Sequence, residues 1–340
     1  MIRFGYPPME MRAVADVPDG PQWQYEPKWD GFRCLAFRDG REVELQSKAG
    51  QPLGRYFPEV VAALSRLPTK HFVLDGELVV PLAGALSFDA LQQRIHPAAS
   101  RVAMLAKRTP AWYLIFDLLE EDGTELVERP LAERRAQLER FANQLDGETL
   151  RLSPATRDRS VVDDWFARVG GALDGVIAKR ADAAYASGSR DAAVKVKRVR
   201  TADCVIGGFR YAKGSTTQVG SLLLGLYDEE GLLDYIGFCS AFAADEKRAL
   251  IERLRPHIGE PGFDGAAPDA APSRWSREPD RDRSYVKLKH DLVLEVAFDQ
   301  VTSGRIRHGT RPLRWRTDKA PRQCTIEQLA APDRALALLE

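Results

Sequence analysis

Residues 25–33 read YEPKWDGFR. Lys28 stands two residues before Asp30-Gly31 and five before Arg33. At average composition a K-x-D-G match occurs by chance in roughly one chain in twenty of this length. The spacing alone therefore does not separate a surface lysine beside a turn from a nucleophile on a nucleotide-binding strand. The next residues narrow the fold. RCLAFRDGREVELQS (33–47) alternates apolar and polar residues on either side of Asp39-Gly40, which predicts a β-hairpin with a type I′ turn. Lys28 then precedes the first strand of that hairpin.

Working outward, 57–67 carries helical spacing, and HFVLDGELVV (71–80) reads as two short apolar runs around an Asp-Gly. WYLIFDLL (112–119) is a nearly all-apolar strand, and 133–145 and 161–173 are amphipathic helices. DGVIAKR (174–180) and AVKVKR (193–198) are short strands with their lysines on the less apolar face. The pattern changes near Val199–Ala202. Three strands follow (204–211, 221–228, 233–239), then a helix (243–258), a Gly/Pro/Asp-rich loop (259–282) and a strand (293–301). One helix after three strands fits a five-stranded OB barrel.

Composition sets limits on function. The 340 residues are 44% hydrophobic, enough for sizeable cores, and no apolar run approaches membrane-spanning length. The N-terminus MIRFGYPPME lacks the form of a signal peptide, so a cytoplasmic protein is expected. Cys34, Cys204, Cys239 and Cys324 form no CxxC pair and build no zinc ribbon. The 49 Lys/Arg balance the 49 Asp/Glu, yet the charge is segregated. Residues 186–214 hold seven basic and two acidic residues, 281–319 hold ten and five, and 117–146 hold four and nine. Such segregation permits a basic nucleic-acid-binding face on a neutral chain.

Lys28, Lys195 and Lys197 are cations at strand ends, Glu77 and Asp174 are carboxylates beside apolar strands, and Phe116 is an aromatic next to Asp117. Cations for phosphate, carboxylates for a metal or ribose, and an aromatic for a base make a nucleotide site with a divalent ion. Seven short motifs in order carry a resemblance: Lys28-Trp29-Asp30-Gly31-Phe32-Arg33, Ser47-Lys48-Ala49-Gly50, Asp75-Gly76-Glu77, Phe116-Asp117, Asp174-Gly175-Val176-Ile177-Ala178-Lys179, Lys195-Val196-Lys197 and Arg316-Thr317-Asp318-Lys319. With these the chain resembles the covalent nucleotidyltransferases, and within them the ATP-dependent DNA ligases. It looks most like the small accessory bacterial ligases and the ligase domain of bacterial end-joining enzymes.

The resemblance implies an α+β fold: a nucleotidyltransferase (ATP-grasp-like ligase) domain with antiparallel sheets over 1–199, an OB-fold β-barrel over 200–328 and a tail over 329–340. It implies ATP and Mg²⁺ or Mn²⁺ as cofactors. Lys28 becomes the adenylated nucleophile, Glu26 recognises adenine, Phe116 stacks on the base, and Asp30, Gly31 and Arg33 support phosphates and ribose. Glu77 serves ribose and metal, Asp174 metal, Lys195 and Lys197 the α-phosphate, and Lys48 the 5′-phosphate of a nick. Arg316 and Lys319 serve the adenylation step from a mobile second domain. Asp174 stands where the family usually has glutamate, Lys48 where it often has arginine, and Ala193 where tryptophan is frequent. The implied partner is nicked double-stranded DNA, and with it nucleoid association, with repair proteins beside it and the chain acting as a monomer. RNA ligase, mRNA capping guanylyltransferase and a non-catalytic nucleic-acid-binding module are the alternatives at this point.

Overall fold

The computed structural model describes residues 2–169, 173–197, 199–268, 284–302, 304–307, 309–330 and 335–339. The end of the helix expected at 161–173 and most of the loop expected at 259–282 lie outside these residues. The chain divides into two compact units, Met1–Arg198 together with Ala331–Glu340, and Val199–Ala330.

The first unit is built on two sheets. One runs in the order Arg12–Val14, Ala193–Lys197, Gly175–Arg180, Trp23–Pro27. The other runs Leu150–Leu152, Trp112–Glu121, His71–Val79, Phe32–Asp39, Glu42–Ser47, with Thr124–Glu125 beside Trp112–Glu121. Arg12–Val14 is parallel to Ala193–Lys197 and Leu150–Leu152 to Trp112–Glu121; the rest of both sheets is antiparallel. The predicted hairpin forms, but its turn differs. Asp39 pairs with Glu42, so the two loop residues are Gly40 and Arg41, and Gly40 alone takes positive φ, at 60°. That is the type II′ pattern, which needs glycine first, in place of the type I′ turn expected from Asp-Gly.

Asp75-Gly76 does not break its segment, because His71–Val79 is one strand. Gly76 is required by packing: a Cβ there would lie 2.5 Å from Tyr113 Cε2. Helices cover the sheet faces. Pro58–Arg66 and Leu131–Phe141 bury Leu64, Leu138 and Phe141 against Phe72 and Leu74. Arg159–Val169 buries Val162 and Trp165 against Val176 and Ala178 of the other sheet. The short turn Ala335–Leu338 returns to this unit, where Leu338 and Leu339 pack on the same cluster beside Leu86 and Val161. Two helices escaped the sequence reading, Phe88–Gln93 and Ala99–Arg108. The second is amphipathic but buries only Val102.

A buried ion pair joins helix to sheet. Arg134 forks onto Asp117, Nε to Oδ1 at 2.9 Å and Nη2 to Oδ2 at 3.0 Å, with both side chains 1% exposed. Burial opposes the Asp117 charge, but Arg134 outweighs it and holds the carboxyl below its ordinary range. Arg134→Ala strands that charge, and urea unfolding is expected to show a loss of about 3–5 kcal/mol.

In the second unit, five strands follow the path Leu233–Cys239, Val219–Tyr227, Arg200–Tyr211, Val293–Phe298, Arg311–Trp315, all antiparallel, with Val286–Lys287 also on Arg200–Tyr211. Helix Ala244–Leu254 seats Leu250 and Leu254 in the core. The expected closed barrel is not drawn by these ladders. Among the described residues the two ends of the path meet only in a single bridge, Cys239 with Thr310.

Candidate active site

Lys28 follows directly on strand Trp23–Pro27 and is pinned from two sides. Its N–H donates to the Gly175 carbonyl at 3.0 Å, and Trp29 Nε1 donates to Ser153 Oγ at 2.9 Å. Gly31 owes its identity to space, since a Cβ would collide with the Leu78 carbonyl and crowd the Glu77 side chain. The lysine is thereby held over a cavity lined by Glu26, Arg33, Lys48, Glu77, Phe116, Lys179 and Lys195. All of these come from the first unit.

The Lys28 amine pairs with Asp174 Oδ2, their side chains being 20% and 3% exposed. Burial dominates its titration and holds it below the ordinary lysine range; Glu77 and Asp30 pull it up, and Lys197 and Lys195 push it further down. A free lysine is almost wholly protonated at neutrality. Desolvation and neighbouring cations act in the direction a lysine nucleophile needs. Strand Ala193–Lys197 leaves Lys195 and Lys197 less buried than its alanine and valines. Lys195 is itself held low by burial and by the nearby Lys197, Lys48 and Arg190.

Glu77 and Asp174 are the carboxylates available to a cation. Burial pushes Glu77 up to about 7 against the pull of Arg33 and Lys28. Asp174 Oδ1 is buried with no hydrogen-bond partner among the described residues. No group of three or more His, Cys, Asp or Glu side chains is gathered for a metal among them. Two carboxylates, one with an unsatisfied oxygen, fit Mg²⁺, which is held by few protein ligands and by substrate phosphates.

Several residues stand differently from what the motifs suggest. Arg33 is locked onto Asp75, Nε–Oδ1 at 2.5 Å and Nη2–Oδ2 at 2.6 Å, while Tyr185 Oη donates to Asp75 Oδ2 at 2.6 Å. Its guanidinium lies 4.6 Å from the centre of the Phe116 ring. Lys48 pairs with Glu10 at 3.3 Å, and Glu10 also takes Arg190 at 2.8 Å. Asp174, Asp30 and Lys197 do not line the cavity; Asp174 reaches it only through its pairing with Lys28, and Asp30 and Lys197 act on Lys28 through their charge. Arg316 and Lys319 lie in the second unit, both paired with Asp203.

The sequence reading set Lys179 on the less apolar face of its strand and gave it no role, but both faces of Gly175–Arg180 are buried up to Lys179. It is 3% exposed, its Nζ lies 2.7 Å from Glu26 Oε2, and it sits 4.4 Å from the Phe116 ring centre. Gln24 Nε2 donates to Glu26 Oε1 at 2.9 Å, while Lys179 meets the other oxygen as an ion pair without hydrogen-bond geometry. The available signal was a lysine inside a strand whose other interior positions are apolar, because a buried lysine demands a buried acid.

Comparison with known proteins gives this geometry a lineage. A family model for the ATP dependent DNA ligase domain matches residues 10–197, and one for the ATP dependent DNA ligase C terminal region matches 215–319. DNA ligase C2 of Mycolicibacterium smegmatis is 45% identical, across 96% of this chain and 94% of its own length. DNA ligase C of Mycobacterium tuberculosis is 42% identical with the same coverage. A solved mycobacterial DNA ligase D, complexed with ATP and MES, superposes with a TM-score of 0.50 at 29% identity, covering 96% of this chain and 99% of that one. Because the likeness runs through both units, the chain belongs to the ATP-dependent DNA ligases.

Proposed function

We propose that this ligase joins nicks in duplex DNA through an AMP carried on Lys28. The neutral amine attacks the α-phosphorus of ATP, the bond to pyrophosphate breaks, and a phosphoramidate forms. The 5′-phosphate oxygen at the nick then attacks the same phosphorus and releases Lys28. Finally the 3′-hydroxyl attacks the activated 5′-phosphate and AMP leaves.

The observation that carries this reading is the surroundings of Lys28. It is half-buried, lowered in basicity, and shares one cavity with Glu26, Phe116 and Lys195. Glu26, held by Gln24 and Lys179, reads the adenine, and Phe116 faces the base with Arg33 and Lys179 against its ring. Lys195 and Lys197 neutralise the α-phosphate. Glu77 and Asp174 would hold a divalent ion, which when bound supplies further neutralisation of phosphate charge. Lys48 takes the nick 5′-phosphate once Glu10 yields it. Arg316 and Lys319 act on the leaving pyrophosphate during adenylation. Repair of broken DNA is the setting that the resemblance to end-joining ligase domains favours.

The test is incubation with α-labelled ATP and Mg²⁺, followed by a nicked duplex. Label should join the protein and then pass to the 5′ strand. Labelling by GTP alone, or sealing of RNA ends only, would overturn the DNA-nick assignment.

DNA binding is expected to fall with salt, with a slope of about 0.9 per phosphate contact. Lys213→Glu and Arg311→Glu, at exposed positions in the basic segments, should weaken it. Glu128→Lys, exposed in the acidic segment, should not. Filter binding across ionic strengths checks this, and a flat salt response would remove the argument from segregated charge.

A further inference from the structure

Asp203 belongs to no motif and does not line the cavity, yet it is built into the second unit with unusual care. It lies in strand Arg200–Tyr211, opposite Glu295 in the ladder. Its main chain is tied at both groups to Gln328: its N–H donates to Gln328 Oε1 at 2.9 Å, and Gln328 Nε2 donates to its carbonyl at 3.1 Å. The side chain, 10% exposed, is thus delivered to a set place.

Both carboxylate oxygens accept from Arg316 Nη1, at 2.8 and 2.9 Å, and Oδ2 also meets Lys319 Nζ at 3.1 Å. The other edge of the Arg316 fork is committed to Asp318, Nε to Oδ1 at 2.9 Å and Nη2 to Oδ2 at 2.8 Å. Arg316 therefore has few donors left for a new anion. Lys319 uses one of its three donors on Asp203 among the described residues and keeps the others. Exposed ion pairs fix little. Here one nearly buried carboxylate gathers two cations, so their spacing is held by the fold.

We propose that Asp203 is a positioning residue for adenylation, setting Arg316 as a brace and Lys319 as the cation that meets the departing pyrophosphate. The inference rests on the reading above that Arg316 and Lys319 serve that step. Without the carboxylate Arg316 keeps Asp318, with Glu295 at 4.0 Å, but Lys319 loses its anchor and must be ordered by the pyrophosphate itself. A misplacement of about 1 Å at such a contact costs on the order of 10²-fold in rate.

The experiment uses the full chain and measures the two steps separately in single turnover. Variants are Asp203→Asn, Lys319→Ala, Arg316→Ala and the double Asp203→Asn/Lys319→Ala. Asp203→Asn is expected to slow adenylation by roughly 10- to 100-fold and to raise the pyrophosphate concentration that half-discharges the adenylated protein. Sealing of a pre-adenylated nick, which also reports a folded protein, should stay within about twofold. The double variant should lose less than the product of its singles, because Asp203 acts in part through Lys319. Equal loss in both steps, or fully multiplicative losses, makes Asp203 merely structural and overturns the proposal. Normal adenylation by Asp203→Asn while Lys319→Ala and Arg316→Ala are slow also overturns it, and leaves the underlying reading standing. Normal adenylation by Lys319→Ala and Arg316→Ala removes that reading instead.

Discussion

The Lys28→Ala protein, given α-labelled ATP, is expected to carry no covalent AMP, while still sealing a nick that is already adenylated. The first result follows because no other amine occupies its place over the cavity. Lys195 is the other lysine with lowered basicity there, and it stands on a different strand. The second follows because attack by the 3′-hydroxyl needs positioning and charge neutralisation but no lysine nucleophile. The substitution has a structural side effect that must be watched. It removes the partner of Asp174, whose side chain is only 3% exposed, and an unpaired buried carboxylate is costly. Lys28→Met keeps more of the side chain's bulk and should give the same chemical result, with thermal melting as the check on folding. An adduct that survives either substitution sinks the assignment of Lys28.

Gly175→Ala is expected to have the next largest effect, although it removes no chemical group. Gly175 adopts φ of 145°, and a Cβ there would collide with the Val196 carbonyl on the neighbouring strand. The same residue accepts the Lys28 N–H. Relief of the collision must push apart the strands that carry Lys28, Asp174 and the pair Lys195/Lys197. Adenylation should fall by about 10²-fold or more, as a displacement near 1 Å at a reacting group would cause. The second unit should keep its own structure, so urea unfolding followed at both units should show loss confined to the first. Adenylation at the wild-type rate would mean that the close approach of Gly175 to Val196 does not govern the site.

What could be read from the sequence was what local chemistry decides. The hairpin of 33–47 shows its alternation, and Lys195 and Lys197 share the less buried face of their strand as the spacing predicted. Asp75-Gly76 misled, because three partners distant in sequence accommodate it within one strand: Tyr113 fills the space beside Gly76, and Tyr185 and Arg33 satisfy Asp75. The segment count over 117–146 survives the burial of Asp117 with Arg134, since the pair removes one charge of each sign and leaves the acidic excess unchanged. The motifs brought Lys28, Glu26, Arg33, Lys48, Glu77, Phe116 and Lys195 to one cavity. They did not disclose what holds those groups still. Lys179 on Glu26, Asp75 on Arg33, Glu10 on Lys48 and Asp203 on Arg316 are each a pairing across strands or loops. Any of the 49 acidic residues could have met any of the 49 basic ones, and only the fold chooses.

The return of Ala335–Leu338 to the first unit bears on when the protein can finish folding. Leu338 and Leu339 complete a cluster whose other members, Val161, Trp165 and Val176 among them, were made much earlier. At synthesis rates of about 5–20 residues per second the ribosome needs roughly ten to thirty seconds to cover that interval. Throughout it the helix Arg159–Val169 waits with part of its apolar face uncovered, while the whole second unit is translated and folds. The first domain to emerge is thus the last to close, and a chain stalled or cleaved before Leu338 leaves the adenylating unit with an exposed apolar seam that proteases and chaperones can read.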